Sequence, residues 1–170
     1  MNLNFMNSKH KALYETFKFS LKLLLLSLPF YILIPFLDLS FLQEITLINV
    51  KFLLELMGFG VKREGFMLIL NNGFNFLISA DCTAWKSMVF IAALMISTPS
   101  ISLRKKAFGI VGGFFILWVG NIARITLLVF VQRYYGNEVM GIIHNYLWQL
   151  GLILLVLITW ISWIFISKRD

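Results

Sequence analysis

A single cysteine, Cys82, stands among the 170 residues, which excludes an internal disulfide and any cysteine-cluster metal site. Charge is scarce as well. Charged residues make up 14% of the chain, where an ordinary soluble domain has about 25%. No phosphate-binding glycine loop, Gly-x-Ser-x-Gly elbow or His/Glu metal motif occurs, so neither a cofactor nor a metal is expected. The basic residues form short clusters beside hydrophobic runs instead of one continuous face, a pattern that excludes nucleic acid as a partner. There is no internal repeat, low-complexity stretch or flexible linker, and residues 1–170 read as a single integral membrane domain. No small-residue cleavage site follows the first hydrophobic run, which is expected to be a retained anchor.

What the chain has in quantity is apolar side chains, 59% of all residues, above the roughly 45–50% of soluble proteins. The expected fold is an all-α polytopic membrane protein whose helices pack on one another in lipid. Four stretches approach the roughly 20 residues a transmembrane helix needs: Phe19–Leu37, Cys82–Ser97, Ala107–Val131 and Asn145–Ile166. The second is short and needs its flanks. Nine of the 15 lysines and arginines lie at Lys9, Lys11, Lys18 and Lys22, at Arg104, Lys105 and Lys106, and at Lys168 and Arg169. The positive-inside rule puts these in the cytoplasm of a multi-pass cell-membrane protein. Four crossings then leave both termini cytoplasmic.

Phe41–Phe59 is apolar too, but Lys51 and Glu55 one turn apart favour an amphipathic helix in the outer interface. Beyond Gly58 and Gly60, Asn71-Asn72-Gly73 separates the apolar runs Phe66–Leu70 and Phe74–Ile78. That pattern predicts a small external β-hairpin leading into the cysteine.

Three chemically capable side chains share one level. Cys82 opens the second crossing from outside. Arg124 lies 17 residues into the third, about 25 Å at about 1.5 Å per residue, and so approaches the outer boundary. His144 opens the fourth. A thiol at a helix N-terminus meets the positive end of the macrodipole, with Asp81 as a possible N-cap and Arg124, His144 or Lys86 as the balancing cation. Taken alone, a lone membrane cysteine is a small buried hydrophobe. Arg124 belongs to Asn121-Ile-Ala-Arg124 on a helix that also carries Gly109, Gly113 and Gly120 on nearly one stripe. Glycines so spaced admit a neighbouring helix and aim this face inward. The alternative is an arginine snorkelling to the headgroups, which is also the expectation for Arg133. His144 can carry a proton near neutrality, whereas His10 reads as a surface residue. Trp85, Trp118, Trp148, Trp160 and Trp163 read as interfacial belt and packing residues.

With these residues the chain resembles the exosortases and archaeosortases, membrane-embedded cysteine transpeptidases. The likeness runs from about Phe52 to Leu157. It is carried by Leu53-Leu-Glu-Leu-Met-Gly58, the Gly73 hairpin, Ala80-Asp-Cys82-Thr, Asn121-Ile-Ala-Arg124-Ile and His144. The resemblance implies Cys82 as nucleophile, Arg124 as an essential arginine and His144 as the third catalytic residue, with Asn121 and Asp81 in support. It also implies substrates: secreted or surface proteins ending in a short motif, one transmembrane helix and a basic tail, cleaved through a thioester and passed to an amine on a membrane lipid, or to water. The chain is short, like the compact members. One departure is Ala84, two residues after the cysteine, where the family often has glycine; a narrowed or reshaped substrate pocket is the expected effect. The rival reading is a noncatalytic transporter or channel subunit with Arg124 binding an anion. A structural partner of a secretion complex is a third.

Overall fold

Each apolar run folds as a helix, and the glycine-punctuated middle of the chain folds as sheet. The computed structural model describes residues 3–33, 36–146 and 150–169. Its elements are α1 (Leu3–Leu33), α2 (Ser40–Leu56), β1 (Val61–Glu64), β2 (Met67–Leu70), β3 (Asn75–Leu77), a 3₁₀ turn (Ala80–Thr83), α3 (Trp85–Ser97), α4 (Leu103–Tyr146) and α5 (Leu152–Arg169). Trp148, expected in the interfacial belt, lies outside the described residues.

α4 and α5 are long and apolar enough to cross a membrane. α3 is apolar but has 13 residues, about 20 Å at 1.5 Å per residue, short of the roughly 30 Å hydrocarbon layer. Of the expected first crossing, residues 19–33 lie in α1, residues 34 and 35 lie outside the described residues, and Phe36 and Leu37 are not in the helix. The boundary expected between the third and fourth crossings is displaced. The helix does not stop at Val131 but continues to Tyr146, broken only at Gly136 (φ 82°, ψ 178°). Asn145 therefore belongs to this limb and not to α5.

The helices pack as the glycine stripe requires. A Cβ on Gly109 would lie 2.2 Å from Trp163 Nε1, and one on Gly120 would lie 2.4 Å from Leu155 Cδ2, so α5 approaches the α4 backbone there. Gly113 faces Ile91 of α3. One buried cluster joins Ile91, Leu94 and Met95 of α3 to Leu117 of α4 and to Val156 and Trp163 of α5. On the opposite faces Phe108, Val111, Ile153 and Phe165 are exposed, as surfaces bathed in hydrocarbon can be. Two lysines tie the ends of the helices together. Lys105 Nζ donates to Ser167 O (2.9 Å) at the C-terminal end of α5. Lys106 Nζ donates to Ile96 O (2.7 Å) at that of α3. Cations there meet unpaired carbonyls and the negative end of each macrodipole.

A second buried cluster forms around α2, whose Leu47, Val50 and Leu54 recur on one face and pack against Leu68, Leu70, Ile78 and, on α4, Ile122, Ile125 and Val129. Lys51 and Glu55 pair on the outer face of α2 at 3.5 Å. Gly58 (φ 81°) ends the helix: its N–H reaches Glu55 O and that of Phe59 reaches Leu54 O, both at 3.0 Å, the Schellman arrangement. The expected hairpin is present as β2–β3, but the sheet has a third strand and order β1-β2-β3, antiparallel throughout. β1 is an edge strand of sequence Val-Lys-Arg-Glu, half-buried only at Val61. Arg63 joins it to α2 through two bonds to Glu44, at 2.5 and 2.6 Å, and Gln43 Nε2 donates to Ile78 O at 2.9 Å.

Candidate active site

The chain leaves β3, makes one turn of 3₁₀ helix and enters α3. Cys82 lies in that turn, not at the first residue of α3 as its sequence position suggests. The turn closes with Cys82 N–H on Ser79 O (2.9 Å) and Thr83 Oγ1 on Ala80 O (2.8 Å). It ends at Ala84, whose backbone is left-handed (φ 58°, ψ 6°) and which also caps α3. A left-handed residue costs roughly 1–2 kcal/mol when it carries a Cβ. Glycine at this position would therefore suit the backbone turn.

Asp81 does not cap a helix. It forms an ion pair with Lys86 at 2.7 Å, and Lys86 also lies 5.4 Å from the centre of the Trp85 ring. Lys86, one of the three cations considered for the thiolate, is thus paired with the neighbouring carboxylate. The Cys82 side chain is 8% exposed and belongs to the α2–sheet cluster. Its Sγ lies 3.4 Å from Ser79 Oγ and 4.0 Å from Leu77 O. Ser79 is a neighbour of the thiol that sequence reasoning missed. Its signal is the i, i+3 spacing that a 3₁₀ turn brings into register.

From the other side α4 presents Asn121 and Arg124, both buried, at 0% and 7% exposure. Arg124 does not snorkel; it points into the bundle. Its Nη2 donates to Asn121 Oδ1 at 2.9 Å, and Asn121 Nδ2 donates to the Cys82 carbonyl at 2.5 Å. One carboxamide thus links the guanidinium to the backbone of the nucleophile candidate. Arg124 is also within electrostatic reach of Cys82 and of His144. His144 is half-buried on the limb beyond Gly136. A pocket of about 450 Å³ opens over the turn, and Ser79, Asp81, Cys82 and His144 all line it beside Phe76 and Leu77.

A thiol and an imidazole on one cavity, with a buried guanidinium behind them linked through Asn121, can supply a nucleophile, a proton carrier and a fixed positive charge. No curated protein and no solved structure matches the chain. The family model for the transmembrane exosortases does match, from residue 9 to residue 164. With Cys82, Asn121, Arg124 and His144 inside that span, the chain belongs to the transmembrane exosortase family.

Proposed function

We propose that the chain is a membrane cysteine transpeptidase that cleaves the C-terminal sorting signal of exported surface proteins. The observation that carries this reading is the convergence of Cys82 and His144 on one pocket, with Arg124 tethered through Asn121 to the Cys82 carbonyl. Family membership supports a transpeptidase-type activity in the membrane.

Cys82 thiolate, formed by proton transfer to His144, attacks the scissile carbonyl carbon. Arg124 stabilises the oxyanion. The C–N bond then breaks, the proton returns from His144 to the leaving amine, and a thioester remains on Sγ. An amine, which we place on a membrane lipid headgroup, attacks the thioester and frees the thiol. Ser79, at 3.4 Å from the sulfur, can donate to the thiolate. The topology that suits this chemistry has α1, α3, α4 and α5 as crossings, both termini cytoplasmic and the pocket at the extracytoplasmic face. The Arg104, Lys105 and Lys106 cluster supports that orientation. A substrate tail with a recognition motif, a transmembrane helix and a basic end would then present its cleavage point at the level of Cys82.

The test is C-terminal mass spectrometry of surface proteins from the native host, comparing wild type with Cys82→Ala and Arg124→Lys. A subset sharing one motif should keep its hydrophobic tail in the Cys82→Ala strain. Arg124→Lys should slow processing by about 10²–10³, the usual cost of a lost oxyanion donor. Unchanged tails in a strain that makes stable Cys82→Ala protein would reject the thiol mechanism and favour an anion-binding, noncatalytic role for Arg124.

A further inference from the structure

A second, smaller pocket of about 160 Å³ lies apart from the cysteine, where three segments of the chain meet. Arg133 and Tyr134 enter it from α4, Asn71 and Asn72 from the β2–β3 turn, and the backbone of Gly58–Gly60 from the end of α2. Asn72 is already engaged, donating to Gln132 Oε1 at 3.3 Å and accepting from Phe74 N–H at 3.2 Å. Arg133, the Tyr134 hydroxyl and the Asn71 carboxamide have no hydrogen-bond or ion-pair partner among the described residues. No carboxylate among those residues lines the pocket. The result is a cavity with a guanidinium, a phenol and an amide donor available and no anion of its own to balance the charge. Its volume corresponds to about five waters at about 30 Å³ each, the scale of a polar headgroup fragment.

The position along α4 indicates which anion is at hand. Between Lys105 and Arg133 the helix is uninterrupted, because its break comes only at Gly136. These 28 residues measure about 42 Å at about 1.5 Å per residue. A bilayer with its headgroup regions is about 40–45 Å thick. When the Arg104, Lys105 and Lys106 cluster sits in one headgroup layer, Arg133 sits in the other. Planar guanidinium groups pair with phosphate through parallel N–H···O bonds.

We propose that this pocket binds a phosphate group, as presented by a phospholipid headgroup in the leaflet opposite the Lys105 cluster. Arg133 supplies the charge, and Tyr134 and Asn71 supply hydrogen bonds. The site goes beyond the transpeptidase reading, and its test needs no turnover.

Native mass spectrometry of the full chain released from detergent micelles reads the bound lipid directly, in titrations with phosphatidylethanolamine, with diacylglycerol and with inorganic phosphate. Wild type should retain one phosphatidylethanolamine in preference to diacylglycerol. Arg133→Gln should weaken that retention by about tenfold or more, the worth of one charged hydrogen-bonding group. Arg133 is exposed, so the variant should unfold at the wild-type temperature. Gly60→Ala is the second variant: its Cβ would lie 1.8 Å from Asn71 Nδ2 and must displace that amide, weakening retention without touching the charge. Binding of inorganic phosphate alone, with no preference between the two lipids, would keep the phosphate site and assign it to a free anion. Equal retention of diacylglycerol and phosphatidylethanolamine with no binding of phosphate, or full retention of phosphatidylethanolamine by Arg133→Gln, would overturn the proposal.

Discussion

Asn121 Nδ2 donates to the carbonyl of Cys82 at 2.5 Å, so a residue on α4 holds the backbone that carries the thiol. Its Oδ1 accepts from Arg124 at 2.9 Å, and the residue is wholly buried. In the proposed mechanism Asn121 is a positioning residue, setting the separation of the Cys82 backbone and the Arg124 guanidinium.

Replacing Asn121 tests this directly. Asn121→Ala leaves the buried Cys82 carbonyl and one Arg124 nitrogen without their partner, which costs roughly 1–3 kcal/mol of stability. Processing should fall by about 10²-fold through misplacement, mainly in kcat. Asn121→Asp keeps the acceptor for Arg124, adds a charge beside it, and turns a carboxylate oxygen, which cannot donate, toward the Cys82 carbonyl. An Asp variant that recovers stability but not kcat would identify the Cys82 contact as the one that matters for turnover, and equal recovery of both would point to the Arg124 contact.

Ala84 carries backbone strain that glycine would relieve. Its φ of 58° is disfavoured for any residue with a Cβ, while glycine adds flexibility to the unfolded chain. Ala84→Gly should therefore raise stability by up to about 1 kcal/mol, and Ala84→Val should lower it by more than that. Thermal unfolding in one detergent compares them. A less stable glycine variant would mean that the turn does not constrain this residue.

The α4 glycines separate packing from propensity. Alanine at Gly109 meets the Trp163 ring at 2.2 Å and should break the bond from Trp163 Nε1 to Lys105 O, now 3.3 Å. A loss of about 1–3 kcal/mol is expected from overpacking. Gly112 has nothing within 4 Å, so Gly112→Ala should be neutral or gain up to about 1 kcal/mol of helix propensity. Similar unfolding temperatures for the two variants would contradict the close approach of α5.

Acid should loosen β1 before the rest of the fold. Hydrogen bonding from Arg63 holds the Glu44 carboxyl below its ordinary range. A carboxylate lowered in this way stabilises the fold above its unfolded pKa, about 4.3, and that contribution is lost as pH falls through the lower folded value. Amide exchange in β1 should therefore accelerate between neutral pH and about pH 3 after correction for intrinsic rates. Glu44→Gln should exchange faster already at neutral pH and show little further change. Identical pH profiles for the two proteins would remove the ion pair from the account.

Much of this architecture is written in short-range signals. Asn72-Gly73 marks the β2–β3 turn, Leu47, Val50 and Leu54 mark the inner face of α2, and helix rise alone carries Arg124 toward the level of Cys82. Other features have no local signature. β1 has one inward side chain, Val61, so no alternation reveals it. The 3₁₀ turn around Cys82 depends on a left-handed alanine that propensity would never assign. Asp81 looked like a helix cap because the run Asp-Cys-Thr precedes an apolar stretch; its partner is Lys86, set by the geometry of the turn. The limb that carries His144 looked like the start of the last crossing because apolar residues continue on both sides of it.

Gly136 gives that limb its direction. With φ 82° and ψ 178° it occupies a region of backbone space essentially reserved for glycine. His144 follows it by eight residues on a stiff helical arm, so a small rotation at this one joint sweeps the imidazole through a much larger arc. In the proposed mechanism, alignment of the imidazole with a buried thiol is thereby entrusted to two torsion angles eight residues away, and any side chain introduced at 136 would re-aim the arm and with it the part of the pocket wall that His144 and Asn145 supply.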